Sequence, residues 1–231
     1  KVERIELFRN LGVRVMQLSY NMVSPFGAGV MSPAQAGLTD LGRQAIAKMN
    51  EVGVALDLSH ANPATTAAAI AASKKPVLIT HAGCAAVHAH LRNKSDAQLR
   101  ALADKGGVIG IYDLFYLTPS PKQPMVEDYI NHVAHALKLC GEDHVGIGSD
   151  TDFLGFDTSA ESLADWDKAL EERRKAGVSA PEEDRPPYVI GLNSARRYEV
   201  IADALLRRGY APRVAEKVLG ANFARAFSEI W

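Results

Sequence analysis

Apolar residues along this chain alternate between short strand-like runs and longer helix-like runs. The strand-like runs are short, apolar and mostly rich in β-branched residues, and they cover 13–20, 54–60, 76–81, 107–112 and 144–150. Helical spacing of apolar residues predicts helices over 40–52, 63–73, 95–105, 126–139, 159–175, 193–208 and 212–229. Strands that alternate with helices favour a parallel sheet, closed or open, that is covered by helices.

The chain begins inside an amphipathic pattern, with Lys1 rather than Met. Val2, Ile5 and Phe8 recur at near-helical spacing before Gly12 ends the run. We therefore expect further chain to precede this stretch in the natural protein. No convincing domain boundary follows, so residues 1–231 are interpreted as one domain.

Composition narrows the class of protein. The 231 residues include 26 Lys and Arg against 27 Asp and Glu, a net charge of -1 that gives no basic surface for nucleic acid. No apolar run is long enough to predict a transmembrane segment. Cys84 and Cys140 lie far apart and form no CxxC pair, so they predict neither a disulfide framework nor a thiolate metal site. The compartment is left open.

Polar side chains with catalytic potential end four of the five predicted strands. They are Tyr20, His60, His81 and Asp150. In a parallel α/β barrel the carboxyl ends of the strands meet at one mouth, so these side chains are expected to share a pocket. Neutral imidazoles are good ligands for zinc, and a nearby carboxylate can bind the metal or carry a proton. Hydrolysis by a metal-activated water is the reaction that this pattern indicates.

The remaining histidines fit structural roles more simply. His88 and His90 form an HxH pair, but it lies in an irregular connection between a strand and a helix. His132 and His135 are three residues apart, which one face of a surface helix explains.

An ordered series of short motifs resembles the membrane (renal) dipeptidase family, in its bacterial branch. The motifs are Leu11-Gly12-Val13-Arg14, Ser19-Tyr20-Asn21, Gly37-Leu38-Thr39-Asp40-Leu41-Gly42, Asp57-Leu58-Ser59-His60, Thr80-His81-Ala82, Arg92-Asn93, Gly106-Gly107-Val108-Ile109-Gly110, Val145-Gly146-Ile147-Gly148-Ser149-Asp150 and Gly220-Ala221-Asn222-Phe223. No single block is specific, but their order spans nearly the whole chain. The resemblance implies a zinc-dependent dipeptidase on a (β/α)8 TIM barrel.

The resemblance also implies roles for individual residues. His60 and His81 correspond to two ligands of one zinc, and Asp150 to the aspartate proposed to pass a proton to the leaving amine. Asp152 is the second choice for this aspartate and is also expected to contact the substrate. Arg92 resembles the arginine that grips the substrate's carboxylate, a task that suits a planar guanidinium.

Two departures from the family pattern bear on function. The family's other metal ligands, a His-x-Asp pair and a bridging Glu, have no counterpart here, so zinc (one or two ions) would need ligands outside this chain. The five strands would then be strands four to eight, with about three βα units absent. Tyr20 stands where mammalian members carry a histidine thought to stabilise the tetrahedral intermediate, and a phenol can also donate to an oxyanion.

Other functions stay open on the sequence alone. One alternative is a non-catalytic barrel-like protein that uses the pocket for binding, and another is a related metal-dependent amide or lactone hydrolase. The family resemblance also favours a homodimer.

Overall fold

A computed structural model describes all residues, 1–231, and shows five parallel strands paired in sequence order. The strands are β1 (Val15–Gln17), β2 (Ala55–Asp57), β3 (Leu78–Ala82), β4 (Val108–Tyr112) and β5 (Val145–Ser149). The helices are α1 (Arg4–Asn10), α2 (Asp40–Val52), α3 (Pro63–Ala72), α4 (Asp96–Asp104), α5 (Val126–Cys140), α6 (Ala160–Lys175), α7 (Arg197–Arg207), α8 (Pro212–Glu216) and α9 (Asn222–Ile230). The predicted α/β class is confirmed.

Local sequence explains where the helices after β1, β2 and β3 begin. The Thr39 hydroxyl accepts a hydrogen bond from the Gly42 N–H at 3.0 Å and caps α2. Asn62 caps α3 in the same way, and Ser95 forms a capping box with Gln98 at α4. These caps therefore determine the residue at which each of the three helices begins and each preceding loop ends.

The sheet curls as the wall of a barrel does. A Cβ at Gly148 on β5 would lie 2.5 Å from the carbonyl oxygen of Thr80 on β3, although β4 lies between these two strands. Only glycine allows that approach, since real Cβ atoms do not come so close to backbone. The carboxyl ends of the strands consequently converge.

The opposite, amino-terminal end of the sheet is closed by α9. Ala226 and Ile230 on this helix pack on Ala55, Leu78 and Val108 from the starts of three strands. The larger core, 38 buried residues, lies between the sheet and the surrounding helices. The polar mouth and the apolar base of the sheet are thus at opposite ends of the strands.

The structure corrects several boundaries. The strands are shorter than predicted, so Tyr20, His60 and Asp150 lie in the loops just beyond β1, β2 and β5, while His81 remains inside β3. The single helix predicted over 212–229 is interrupted by a π-helical turn (Lys217–Ala221), in which Gly220 leaves the helical conformation. None of the helices combines the length and apolar character that a membrane crossing requires.

His132 also differs from its predicted place on a surface helix face, because its side chain is fully buried. Its Nδ1 accepts a hydrogen bond from the Cys84 N–H at 2.9 Å, and its Nε2 lies 3.0 Å from the carbonyl oxygen of Leu117. His132 therefore satisfies two backbone groups inside the core.

Candidate active site

A cavity of about 220 Å³ opens where the strands end. Its lining comes from the loops that follow all five strands and from the region around α6, and comprises Tyr20, Asn21, His60, Arg92, Leu114, Phe115, Tyr116, Asp150, Trp166, Arg173, Glu183 and Pro187. A larger open groove of about 620 Å³ lies between α5 and Tyr210, and it shares no lining residue with this cavity. The smaller cavity is the candidate site because four of the predicted residues, Tyr20, His60, Arg92 and Asp150, line it. His81 does not line the cavity, but its ring lies beside that of His60.

Hydrogen bonds around His81 fix which of its ring nitrogens carries a proton. The Thr80 hydroxyl donates to Oδ2 of Asp57 at 2.8 Å, and a carboxylate can only accept. The same hydroxyl lies 2.8 Å from His81 Nδ1. Because its one hydrogen is used in the bond to Asp57, the hydroxyl can only accept here, and Nδ1–H of His81 is the donor. Nε2 of His81 must then hold the free lone pair.

Asp57 organises this corner of the site. Its carboxylate also accepts from the Ser59 hydroxyl at 2.5 Å and from the backbone N–H groups of Ser59 and Thr80. The Ser59 hydroxyl in turn accepts from the His81 N–H at 3.0 Å. The ends of β2 and β3 are therefore held together by one buried carboxylate, to which His81 is connected through Thr80 and Ser59.

The free nitrogen of His81 has the properties of a metal ligand. Nε2 is buried and has no hydrogen-bond partner, and it lies 3.9 Å from Oδ2 of Asp150. That separation is about twice the length of a typical bond from zinc to nitrogen or oxygen. Burial lowers the pKa of His81, which keeps the ring neutral as coordination requires. These two residues fit a divalent metal.

His60 lies beside His81, with ring centroids 5.1 Å apart. Burial, reinforced by the charge of Arg92, lowers its pKa to about 2. Its Nδ1 lies 2.9 Å from Oδ1 of Asn21 and 2.5 Å from Nη1 of Arg92. The amide oxygen only accepts and the guanidinium only donates, so a single tautomer of His60 can form only one of these two hydrogen bonds. The tautomer that donates to Asn21 is the one that leaves Nε2 free for a metal.

Arg92 is buried, and the one side chain within hydrogen-bond distance of its guanidinium is His60, whose Nδ1 accepts from Arg92 only when it carries no proton. A buried guanidinium without a carboxylate partner is costly, and a bound anion would relieve that cost. Arg92 lines the cavity and can therefore meet a carboxylate that enters it.

The other predicted site residues differ in their positions. Asp150 lines the cavity, and Tyr20, 56% exposed, lies against His60 with ring centroids 4.3 Å apart and the ring planes tilted by 31°. Asp152 is exposed and is not part of the cavity wall. His88 and His90 contact the 181–182 loop through Glu182 and the Pro181 carbonyl, so both Nε2 atoms already have partners.

Sequence reasoning missed one part of the cavity. Arg173 on α6 forms a two-point ion pair with Glu183, which is 5% exposed, and Trp166 adds an aromatic wall. These residues follow no strand and match no motif, so only the fold brings them to the mouth. Hydroxyl and backbone donors from Ser179 and Ala180 also satisfy the Glu183 carboxylate.

Two neutral histidines and a carboxylate lie close together at the carboxyl edge of a curled parallel sheet, the edge at which barrel enzymes carry their active sites. Known proteins identify the family more closely. The family model "Membrane dipeptidase (Peptidase family M19)" matches residues 1–171, which is most of the chain. The chain therefore belongs to the membrane dipeptidase family.

Individual relatives agree with this assignment. "Dipeptidase verJ" of Clonostachys rogersoniana is 33% identical over 227 residues, which is 96% of this chain and 55% of that protein. "Dipeptidase tcpJ" of Claviceps purpurea is 29% identical over 98% of this chain and 47% of its own length. An amidohydrolase structure from Pseudomonas aeruginosa superposes with a TM-score of 0.86 at 29% identity, covering 100% of this chain and 69% of that one.

The chain spans about half the length of the curated relatives that it matches. Within residues 1–231, no group of three or more His, Cys, Asp or Glu side chains is arranged to hold a metal.

Proposed function

We propose that this chain contributes to a zinc-dependent hydrolase that cleaves the peptide bond of dipeptides. The observation that carries the proposal is the unpartnered, buried Nε2 of His81, with its tautomer set by Thr80 and its lone pair opposite Asp150 at 3.9 Å. Membership of the membrane dipeptidase family, in which the matched relatives are named dipeptidases, supports the choice of substrate.

His60 and His81 would hold the metal through their Nε2 atoms, with Asp150 close enough to join them or to act beside them. When bound, the metal acts as a Lewis acid that makes water a competent nucleophile near neutral pH. Zinc is proposed because imidazole nitrogen is among its preferred ligands. The further ligands that a complete site needs are proposed to lie in the part of the relatives' length that this chain does not span.

The chain's own residues would bind and orient the substrate. Arg92 would pair with the C-terminal carboxylate through two parallel hydrogen bonds, which fixes the distance from that end to the scissile bond. Asp150 would take a proton and pass it to the leaving amine, and its half-exposed side chain allows this exchange. The Tyr20 hydroxyl would donate to the oxyanion that forms at the carbonyl, and Asp152 is the second choice for a substrate contact.

Two broader proposals accompany the site. Residues 1–231 form a single catalytic unit rather than two domains, which the continuous core supports. The assembly is a homodimer, for which the support is family resemblance alone, and light scattering on the purified protein measures it.

The test uses the full-length natural protein. Elemental analysis and release of amino acids from a dipeptide panel are measured with and without a chelator, for the wild type, His81→Asn and the control His135→Asn. His135 pairs with Asp96 on the outer surface, so its variant should keep both metal and activity. Chelator-sensitive cleavage that is lost only in His81→Asn supports the proposal. A wild-type protein that binds no metal and cleaves no dipeptide overturns it.

A further inference from the structure

A buried arginine outside the cavity wall is connected to the loop that carries Asp150. Arg197, the first residue of α7, is 1% exposed and forms an ion pair with Asp113 at 2.9 Å. It lies beyond residues 1–171, to which the family model matches. Its Nε donates to the Ser194 carbonyl at 3.0 Å, so the guanidinium is anchored at both of its ends.

The guanidinium reaches the loop on both sides of Asp150. Before Asp150, Nη1 lies 2.6 Å from the Ser149 hydroxyl. After it, Nη1 also contacts the Thr151 hydroxyl, and Nη2 donates to the Asp152 carbonyl at 2.5 Å. The Asp150 carboxylate forms no hydrogen bond with Arg197, and it lines the cavity.

The loop needs such support because its backbone is strained. Ser149 and Asp150 have φ values of 48° and 66°, in the left-handed region that side chains other than glycine rarely adopt. Two such residues in succession persist only where surrounding contacts hold them. The Asp113 N–H adds one such contact to the Ser149 carbonyl, at 3.0 Å. Asp113 and Arg197 thus hold the same short segment.

We infer that Arg197 is a positioning residue that holds the loop 149–152 in its left-handed conformation and so directs the Asp150 carboxylate at His81. This inference rests on the proposed function for its catalytic consequence. Its structural consequence, the order of the loop, does not depend on which reaction the site performs.

The experiment compares Arg197→Met, Arg197→Lys and the double variant Arg197→Met with Ser149→Gly, all in the full-length protein. Glycine adopts positive φ without strain, so it should restore part of what the loss of Arg197 removes. The matched control is Arg207→Met on the same helix, since Arg207 is exposed and pairs only with Asp203. Amide hydrogen exchange of the peptide that spans 148–153 is measured in the metal-free protein, and kcat and KM for a dipeptide in the zinc-loaded protein.

We expect faster exchange at 148–153 in Arg197→Met and a fall in kcat on the order of 10²-fold with KM nearly unchanged, because a small displacement of a catalytic group is enough for this. In both exchange rate and kcat, Arg197→Lys should lie between Arg197→Met and the wild type, and Arg207→Met should match the wild type. The double variant with Ser149→Gly should recover part of kcat. If Arg197→Met does not fold, Arg197→Lys must show the same local exchange and the same separation of kcat from KM.

The inference is overturned if exchange at 148–153 stays at the wild-type rate. It is equally overturned if the variants lose kcat, metal content and substrate binding together, or if glycine at 149 restores nothing. A wild type that cleaves no dipeptide contradicts the proposed function alone, and the exchange comparison then still decides whether Arg197 orders the loop.

Discussion

Replacing Thr80 by valine tests the hydrogen bonds that prepare His81 for a metal. Valine keeps the shape of threonine and leaves the backbone N–H bond from residue 80 to Asp57 intact. It removes the hydroxyl that accepts from His81 Nδ1 and donates to Asp57 Oδ2, both at 2.8 Å. The ring of His81 then loses the partner that fixes its tautomer and its orientation.

The size of the effect follows from these contacts. One hydrogen bond to the ring contributes about 1 kcal/mol to the tautomer that binds metal, which is roughly fivefold in affinity. Loss of ring orientation adds to this, so zinc affinity should fall by about 10- to 100-fold, the range for residues that hydrogen-bond to metal ligands. Oδ2 of Asp57 is also left without its hydroxyl partner, which should lower the free energy of unfolding by about 1–3 kcal/mol.

Competition with a chelator measures zinc affinity, and urea unfolding of the metal-free protein measures stability. The control is Thr66→Val, a buried threonine whose hydroxyl donates to the Ala61 carbonyl at 3.3 Å. That carbonyl keeps Lys94 as a partner, so the control should lose some stability but no zinc affinity. Thr80→Ser should bind zinc as the wild type does. The reasoning is refuted if Thr80→Val binds zinc as tightly as the wild type, or if Thr66→Val weakens zinc binding equally.

Three further outcomes are expected. His60→Asn should lose zinc and dipeptide cleavage together, as measured by elemental analysis and amino-acid release, and retention of both would remove His60 from the site. Arg92→Lys should raise KM for dipeptides by on the order of 10- to 100-fold, because one ammonium cannot replace two parallel hydrogen bonds. Cleavage of C-terminally amidated dipeptides should not change. An equal effect on both substrates would contradict the carboxylate contact. Burial lowers the pKa of His132 to about 4 in the folded protein, whereas the unfolded chain titrates near 6.5, so unfolding takes up a proton between these values. The free energy of unfolding should therefore fall as pH drops from 6.5 to about 4, by up to about 1.4 kcal/mol per pH unit. Urea unfolding at pH 7 and 4.5 measures this, and His132→Gln should lose less stability between the two pH values than the wild type does.

Much of the fold is encoded in local patterns. The order of strands and helices follows from alternating apolar runs, and the start of α2 follows from a single threonine cap. The last helix is different, because its interruption at Gly220 depends on how α8 and α9 pack against different parts of the core. Periodicity alone favours one continuous helix there, since both pieces have the same apolar spacing.

The candidate site was only partly accessible to the same reasoning. The position of a polar residue near a strand end predicted that His60, His81 and Asp150 lie close together, because parallel strands bring their carboxyl ends to one place. Arg173 and Glu183 escaped notice, since they come from α6 and the loop after it and reach the cavity only through tertiary packing.

The geometry of Asp150 shows why strand-end position does not suffice. A carboxylate just past β5 could point in many directions, and an ordinary extended continuation would be less strained than consecutive left-handed residues. The left-handed conformation is selected by Arg197, which is 48 residues away from Ser149 in sequence and is buried with Asp113 as its counter-charge. Such a choice depends on a long-range ion pair and on burial together. A candidate site residue can therefore be predicted from the sequence, whereas the direction of its side chain depends on contacts that only the folded chain creates.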